Sequence, residues 1–435
     1  MSTPQRRRAR LATGAAVLAL ATLASGCSSG GSDAASANGG GDVSLRMTVW
    51  TADKTQLALF DSIAKEYMAK HPQVKKVTFD PVPFEGYTTS VTTQIAGSNP
   101  PDLAWILERD APDFVSSGAL ADLKPTLSKT DGYQLNDLVP SATRLWTNGD
   151  KLYAYPFSTS PMGVFYNKTL LKKAGVTSMP DDMLGKGAWT WDQAERTAAK
   201  VAASTGKQGL VVRDWDYKNW NVLASVYRGF GARAWSDDGK SCGFDSPQMT
   251  QAMTFLHKAI FEDKALPAPG TTADFFAGES GMTITQISRA SLLKDHPFDW
   301  GIVPLPSGPD GNAQVIGQAG IGVIGKGKNA KQAADFLAFF TNRENSANLA
   351  AYFPPPRQSL LTADTLAKAN PMFTKEQLEN VVIDGIKTGT VLPSHTDSNK
   401  ITSKVQSALD PMWKPGADVP TVLSGVCKAI GSDLK

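Results

Sequence analysis

Cysteine and histidine are the scarcest reactive residues in this chain. Of 435 residues only Cys27, Cys242 and Cys427 carry a thiol. His71, His257, His296 and His395 lie far apart and form no H-E-x-x-H pair, so a zinc hydrolase has no support and no metal is expected. A charge of one sign is missing too. The 44 Lys and Arg face 41 Asp and Glu, which leaves no basic excess for nucleic acid. Long apolar runs are equally absent: beyond the first 24 residues none is long enough to cross a membrane as a helix.

What the chain does have begins at its N-terminus. Arg6, Arg7, Arg8 and Arg10 precede a 14-residue apolar stretch, 11–24, and small residues follow up to Cys27. Basic, then apolar, then small is the order of a secretory signal, and the apolar part is too short to span a bilayer. The run 23–27 (LASGC) resembles a bacterial lipobox, with Ala24 where Leu is most usual. On that reading cleavage occurs before Cys27, whose thiol then carries diacylglycerol. Two acyl chains hold a protein firmly on a membrane, whereas one does so only marginally. The arginine run also leaves a twin-arginine export route open. Residues 28–42 (SSGGSDAASANGGGD) contain no large apolar side chain, cannot bury enough surface to fold, and read as a tether with a mean reach of roughly 20 Å. The expected location is the outer face of the cytoplasmic membrane, held there by lipid.

Removing 1–26 leaves 409 residues, more than one core usually holds, so two lobes are expected. It also removes four arginines and no acid, and the remainder is near neutral. Strand and helix signals then alternate. An apolar β-prone run covers 45–50. Leu57, Phe60, Ile63, Ala64, Tyr67 and Met68 recur at helical spacing until His71-Pro72 stops them. A second strand covers 77–82, Val91 and Ile95 mark a helix ending at Gly97, and a third strand covers 103–107. This β-α-β-α-β order predicts a parallel, doubly wound sheet whose strand carboxyl ends share one edge, where such sheets bind ligands.

Eight further stretches carry a family likeness. They are 60–72 (FDSIAKEYMAKHP), 93–102 (TQIAGSNPPD), 117–123 (SGALADL), 150–171 (DKLYAYPFSTSPMGVFYNKTLL), 189–192 (WTWD), 275–285 (FFAGESGMTIT), 303–306 (VPLP) and 334–340 (ADFLAFF). In this order they resemble the extracellular sugar-binding proteins of bacterial ABC importers, the broad group that includes maltose-binding protein. Gly97 and Ser98 stand in swapped order, and Gly281 replaces the usual Ala. Each motif alone is weak; their shared order over 44–430 is specific. The resemblance implies an α/β, two-lobed, periplasmic-binding-protein-like clamp, each lobe a mainly parallel sheet flanked by helices. Lobe one would be 43–155 plus 318–362, and lobe two 156–317 plus 363–435. It further implies a monomer without cofactor or catalysis. Such a protein captures a mono- or oligosaccharide in the inter-lobe cleft and delivers it to the permease subunits of an ABC importer. Cys242 and Cys427 both fall in lobe two on this division and are expected to pair outside the cell.

A pyranose has apolar C–H faces and a polar rim. Aromatic rings suit the faces, while carboxylates, amides and guanidinium groups suit the hydroxyls. The resemblance aims several such side chains into the cleft. Trp50 ends the first strand, with Asp53 beyond it; Trp105 lies on the third, and Glu108 and Arg109 follow it. Ser160 sits at the first crossing between lobes. Asp214, Trp215, Asp216 and Tyr217 form a dense aromatic–acid cluster, of which Trp215 and Tyr217 are favoured for ligand contact. Gln286 and Arg289 follow the strand 282–285, and His395 and Asn399 lie near the position that supplies a stacking aromatic in maltose-binding proteins. Plainer roles compete: Trp105 in the core, Trp50 capping the sheet, and residues 108–110 as a solvated loop whose ion pairs contribute little. Trp189, Trp191 and Trp220 read as structural. Ser288 and Thr402 stand near positions that are often aromatic in the family, so maltodextrin specificity does not carry over.

Other readings rank lower. Residues 62–65 match S-x-x-K, 346–348 S-x-N and 387–389 K-T-G, the elements of penicillin-recognising serine enzymes. Ser62, however, falls mid-helix, where a nucleophile needs an accessible Oγ near a helix start. Residues 320–325 fit G-x-G-x-x-G, but 326–328 intervene before the next helix, so a strand with small residues explains them better. A polyamine or a peptide is the alternative ligand, with Asp214 and Asp216 beside two aromatic rings as the polyamine's partners.

Overall fold

The computed structural model describes residues 41–97, 99–213, 219–294 and 298–434. Cys27, most of the expected tether, and the cluster Asp214, Trp215, Asp216 and Tyr217 lie outside them. The alternating signals become β1 (Val43–Val49), a helix Lys54–Lys70, β2 (Val74–Pro81), a helix Tyr87–Ala96 and β3 (Leu103–Leu107). The first helix buries Phe60, Ile63, Ala64 and Tyr67, one face of a 3.6-residue repeat. The helix ends where the His71 N–H reaches back to the Tyr67 and Met68 carbonyls at 3.0 and 3.2 Å; Pro72 cannot continue it. β2 starts three residues before its alternation suggests, because parallel pairing with β1 runs from Val43↔Val74 to Val49↔Pro81.

The remaining strands are a small β4–β5 hairpin (Thr147–Asn148, Lys151–Leu152), β6 (Ala154–Asn167), β7 (Gln208–Val212), β8 (Ser280–Gln286), β9 (Trp300–Pro304), β10 (Val315–Val323) and β11 (Thr390–Val391). The large sheet runs β2-β1-β3-β10-β6-β8-β7, with β11 on β10 and β9 on β6. β1–β2, β1–β3, β7–β8 and β10–β11 are parallel. Within this sheet the antiparallel pairs all involve β6 or β10.

Residues 42–435 form one contiguous unit, yet its apolar side chains divide into two large cores. β6 explains how both statements hold. Its Ala154, Tyr155 and Phe157 pack in the first core, and its Met162, Val164 and Tyr166 in the second. β10 does the same in reverse, with Val315 in the second and Ala319, Ile321 and Val323 in the first. Two long strands thus pass from core to core. A third, smaller cluster gathers Phe165, Phe275, Ile302, Val381 and Ile386, and takes in Val139 and Ala142 from before the first crossing.

Gly320 and Gly322 lie within β10. A Cβ on Gly320 would meet Trp146 and Ala154 at 2.9 Å, and one on Gly322 would meet Ile106 at 2.8 Å, so these glycines serve close packing. Ser62 sits within the first helix with its Oγ bonded to the Leu59 carbonyl, while Ser346 is buried against Tyr155 Oη. Cys242 and Cys427 are joined by a disulfide, Cα–Cα 5.5 Å, that ties the helix Val419–Ile430 to the second core. No described helix is long and apolar enough to cross a membrane.

Candidate binding cleft

Where the two crossing strands leave the first core, a cavity of about 480 Å³ opens between the cores. Its floor is β6 and β10, through Ser158, Ser160, Gly317 and Gln318; residues just past β1, β3, β7 and β8 form its walls. That is the carboxyl edge of the parallel strands, as expected for an open α/β sheet. The volume falls in the range of small-molecule sites, about 300–1,000 Å³.

One wall is aromatic. Trp50 stands against Trp105 (centroids 4.6 Å apart) and Tyr87 (5.2 Å), all edge-on, and meets Phe84 at 5.9 Å. Phe84 is one of two large apolar side chains left exposed among the described residues, at 44 %. It lies in the turn that follows β2, on the same edge. Phe353 adds a further ring to the lining.

The polar groups converge from the other sides. Ser160 Oγ accepts the Ser288 N–H at 3.1 Å, tying the crossing strand to the turn after β8. Gln318 accepts from Trp146 Nε1 at 2.8 Å and donates to the Ala142 carbonyl at 2.9 Å, which locks the crossing from below. Gly317 leaves the space in which Gln286 lies; a Cβ there would come within 2.7 Å of the Gln286 Nε2. Glu108 is buried, 8 % exposed, at the end of β3. Burial pushes its carboxyl above the usual range, and the Arg213 and Arg109 guanidinium groups draw it back only in part. Arg109 stands 3.5 Å from Asp110, and Arg289 lies over the Phe276 ring at 4.9 Å.

The cavity therefore brings together Trp50, Glu108, Arg109, Ser160, Gln286 and Arg289. Four other candidates lie elsewhere. Asp53 is exposed and caps the first helix, accepting the Gln56 N–H at 2.8 Å, because a helix start leaves donors that a nearby carboxylate satisfies. Trp105 is 1 % exposed and backs Trp50 from the core. His395 lines a narrow adjoining gap, its ring nitrogens facing the Gly239 and Thr396 carbonyls at 3.0 and 2.9 Å. Asn399 is exposed in the first turn of the helix Ser398–Leu409. Phe84, Arg213, Asn219 and Asn221 line the cavity without having been singled out. An aromatic between Pro83 and Gly86 just past a strand end was the signal for Phe84. Among the described residues no three His, Cys, Asp or Glu side chains are grouped to hold a metal.

A family model described as bacterial extracellular solute-binding protein matches residues 51–347, more than half of the sequence. The chain belongs to that family. The arabinooligosaccharide-binding protein of Bacillus subtilis is 24% identical over 346 residues, 75% of this chain and 75% of that one. An ABC substrate-binding protein of Listeria monocytogenes in complex with cycloalternan superposes with a TM-score of 0.76 at 22% identity, covering 90% of this chain and 98% of that one. UgpB of Mycobacterium tuberculosis, in complex with glycerophosphocholine, gives 0.74 at 19%, covering 89% and 97%. At these identities the solved structures establish the fold, that of the two-lobed periplasmic binding proteins.

Proposed function

We propose that this protein is a non-catalytic, cell-surface lipoprotein. It captures a mono- or oligosaccharide between its lobes and delivers it to the permease of an ABC importer. The observation that carries the reading is the cavity itself. An aromatic wall of Trp50, Phe84 and Phe353 faces hydroxyl, amide and guanidinium groups from both sides of the crossing strands. Rings take the apolar faces of a sugar, and the polar groups take its rim. The saccharide ligands named for the Bacillus and Listeria relatives support the same class.

Trp215 and Tyr217 belong to this reading. Arg213 and Asn219, the described residues on either side of them in the chain, both line the cavity. A polyamine fits less well, because Arg109, Arg213 and Arg289 line the site against the single described carboxylate of Glu108. The glycerophosphocholine bound by the Mycobacterium relative marks a polar non-sugar solute as the second reading.

A thermal-shift screen tests the proposal, since a ligand that binds only the folded state raises its melting temperature. Maltotriose, cyclic α-glucans and arabinotriose are set against spermidine and glycerophosphocholine. The expected result is a rise with at least one saccharide. A rise with spermidine or glycerophosphocholine alone would replace the assigned ligand class.

A further inference from the structure

A second cavity, of about 650 Å³, shares no lining residue with the first. It too lies between the cores: Leu145 on one wall packs against the first core, while Ala224, Tyr227 and Ala234 opposite belong to the second. The 387–394 segment completes it.

Its charge is lopsided. Arg144, Arg228, Arg233 and Lys387 line it, against one carboxylate, Asp237, which Arg233 already engages in an ion pair. The Nε of Arg228 is buried and has no hydrogen-bond acceptor. A buried donor left without a partner is costly, and more so when it carries charge. Burial lowers the Arg228 pKa, and the neighbouring Arg233 lowers it further. The carboxylates of Asp237 and Asp310 draw it back only in part.

We propose that this cavity is a second ligand site, for a small phosphorylated solute whose phosphate sits on Arg228 with Arg144, Arg233 and Lys387 around it. A phosphate offers the charge and the several acceptor oxygens that forked guanidinium groups match in paired hydrogen bonds; a lone carboxylate offers fewer. The space exceeds a bare phosphate. The hydroxyls of Ser141, Thr388 and Ser394 and the rings of Tyr227 and Trp235 line the rest of it, which suits a hydroxylated body of sugar size.

Calorimetric titration of the full-length chain with inorganic phosphate, and with acetate at equal ionic strength, tests this. Phosphate is expected to bind saturably and acetate not. Arg228→Gln should weaken phosphate binding about tenfold or more, the loss of one charged hydrogen-bonding partner. The double variant Arg144→Gln/Lys387→Gln removes two exposed side chains, so it decides the matter even if Arg228→Gln folds poorly. It too should weaken phosphate about tenfold or more. Absence of saturable phosphate binding, acetate binding as tight as phosphate, or unchanged affinity in the double variant would overturn the assignment.

Discussion

Glu108 shows how much one side chain at the cleft can report. Burial raises its pKa, so the folded chain prefers the neutral acid. Its stabilising contribution is therefore complete at acid pH and is lost as pH rises through the raised value. Glu108→Gln, which stays neutral, is expected to melt higher than the parent at neutral pH and to converge with it as pH falls below the ordinary glutamate value of about 4.3, where the parent's carboxyl is protonated in both states. Melting curves across that range check the sign; a variant that melts lower at neutral pH contradicts it. The same scale shows what a sequence can tell about a site. Trp50, Glu108 and Arg109 line the cavity because each follows a strand whose end the α/β pattern had located, while Gln286 and Arg289 follow a strand placed by the family resemblance. Trp105 and Trp50 were not separable, since both sit near strand ends and only the packing puts one ring behind the other. His395 and Asn399 were carried over from the family by position, whereas here the histidine spans two backbone carbonyls and the asparagine faces solvent.

Elements fared better than single residues. β3 was read to the residue and the first helix to within a few, because 3.6-residue and two-residue repeats are properties of short stretches. Which strands cross between cores was not legible from periodicity, since β6 and β10 are buried along nearly their whole length and show no alternation. One contact between elements ties the cores together. Asp113, beside Ala111 of the first core, accepts the Asp397 N–H at 2.8 Å at the start of the helix Ser398–Leu409, whose Ile401 and Val405 lie in the second. Its neighbour Asp110 accepts from Ser398 Oγ at 3.3 Å. A carboxylate at a helix N-terminus stabilises by about 0.5–2 kcal/mol. Asp113→Ala should therefore favour the separated lobes and weaken ligand binding several-fold, with the fold intact. Calorimetry beside circular dichroism checks this, and an unchanged dissociation constant refutes it. The disulfide acts on another element. It closes a loop of 185 residues, so Cys242→Ser is expected to cost on the order of 3–5 kcal/mol in denaturant unfolding. A loss well below 1 kcal/mol would show that the link contributes little.

At the scale of the whole molecule, the proposed clamp requires the two cores to rotate about the strands that join them. A ligand favours the closed arrangement only through contacts made with both lobes at once. The proposed lipid anchor makes a prediction at the N-terminus. Cys27→Ala is expected to move the protein from the washed membrane fraction to the soluble one; a variant that still pellets removes lipid attachment at that residue. The central claim, a clamp that closes on a sugar, is tested most directly by small-angle scattering of the full-length chain. The saccharide that raises its melting temperature most would be added to saturation. The account predicts a smaller radius of gyration on saturation and recovery of the sugar intact afterwards. A profile that does not contract, or a sugar recovered cleaved, would contradict it.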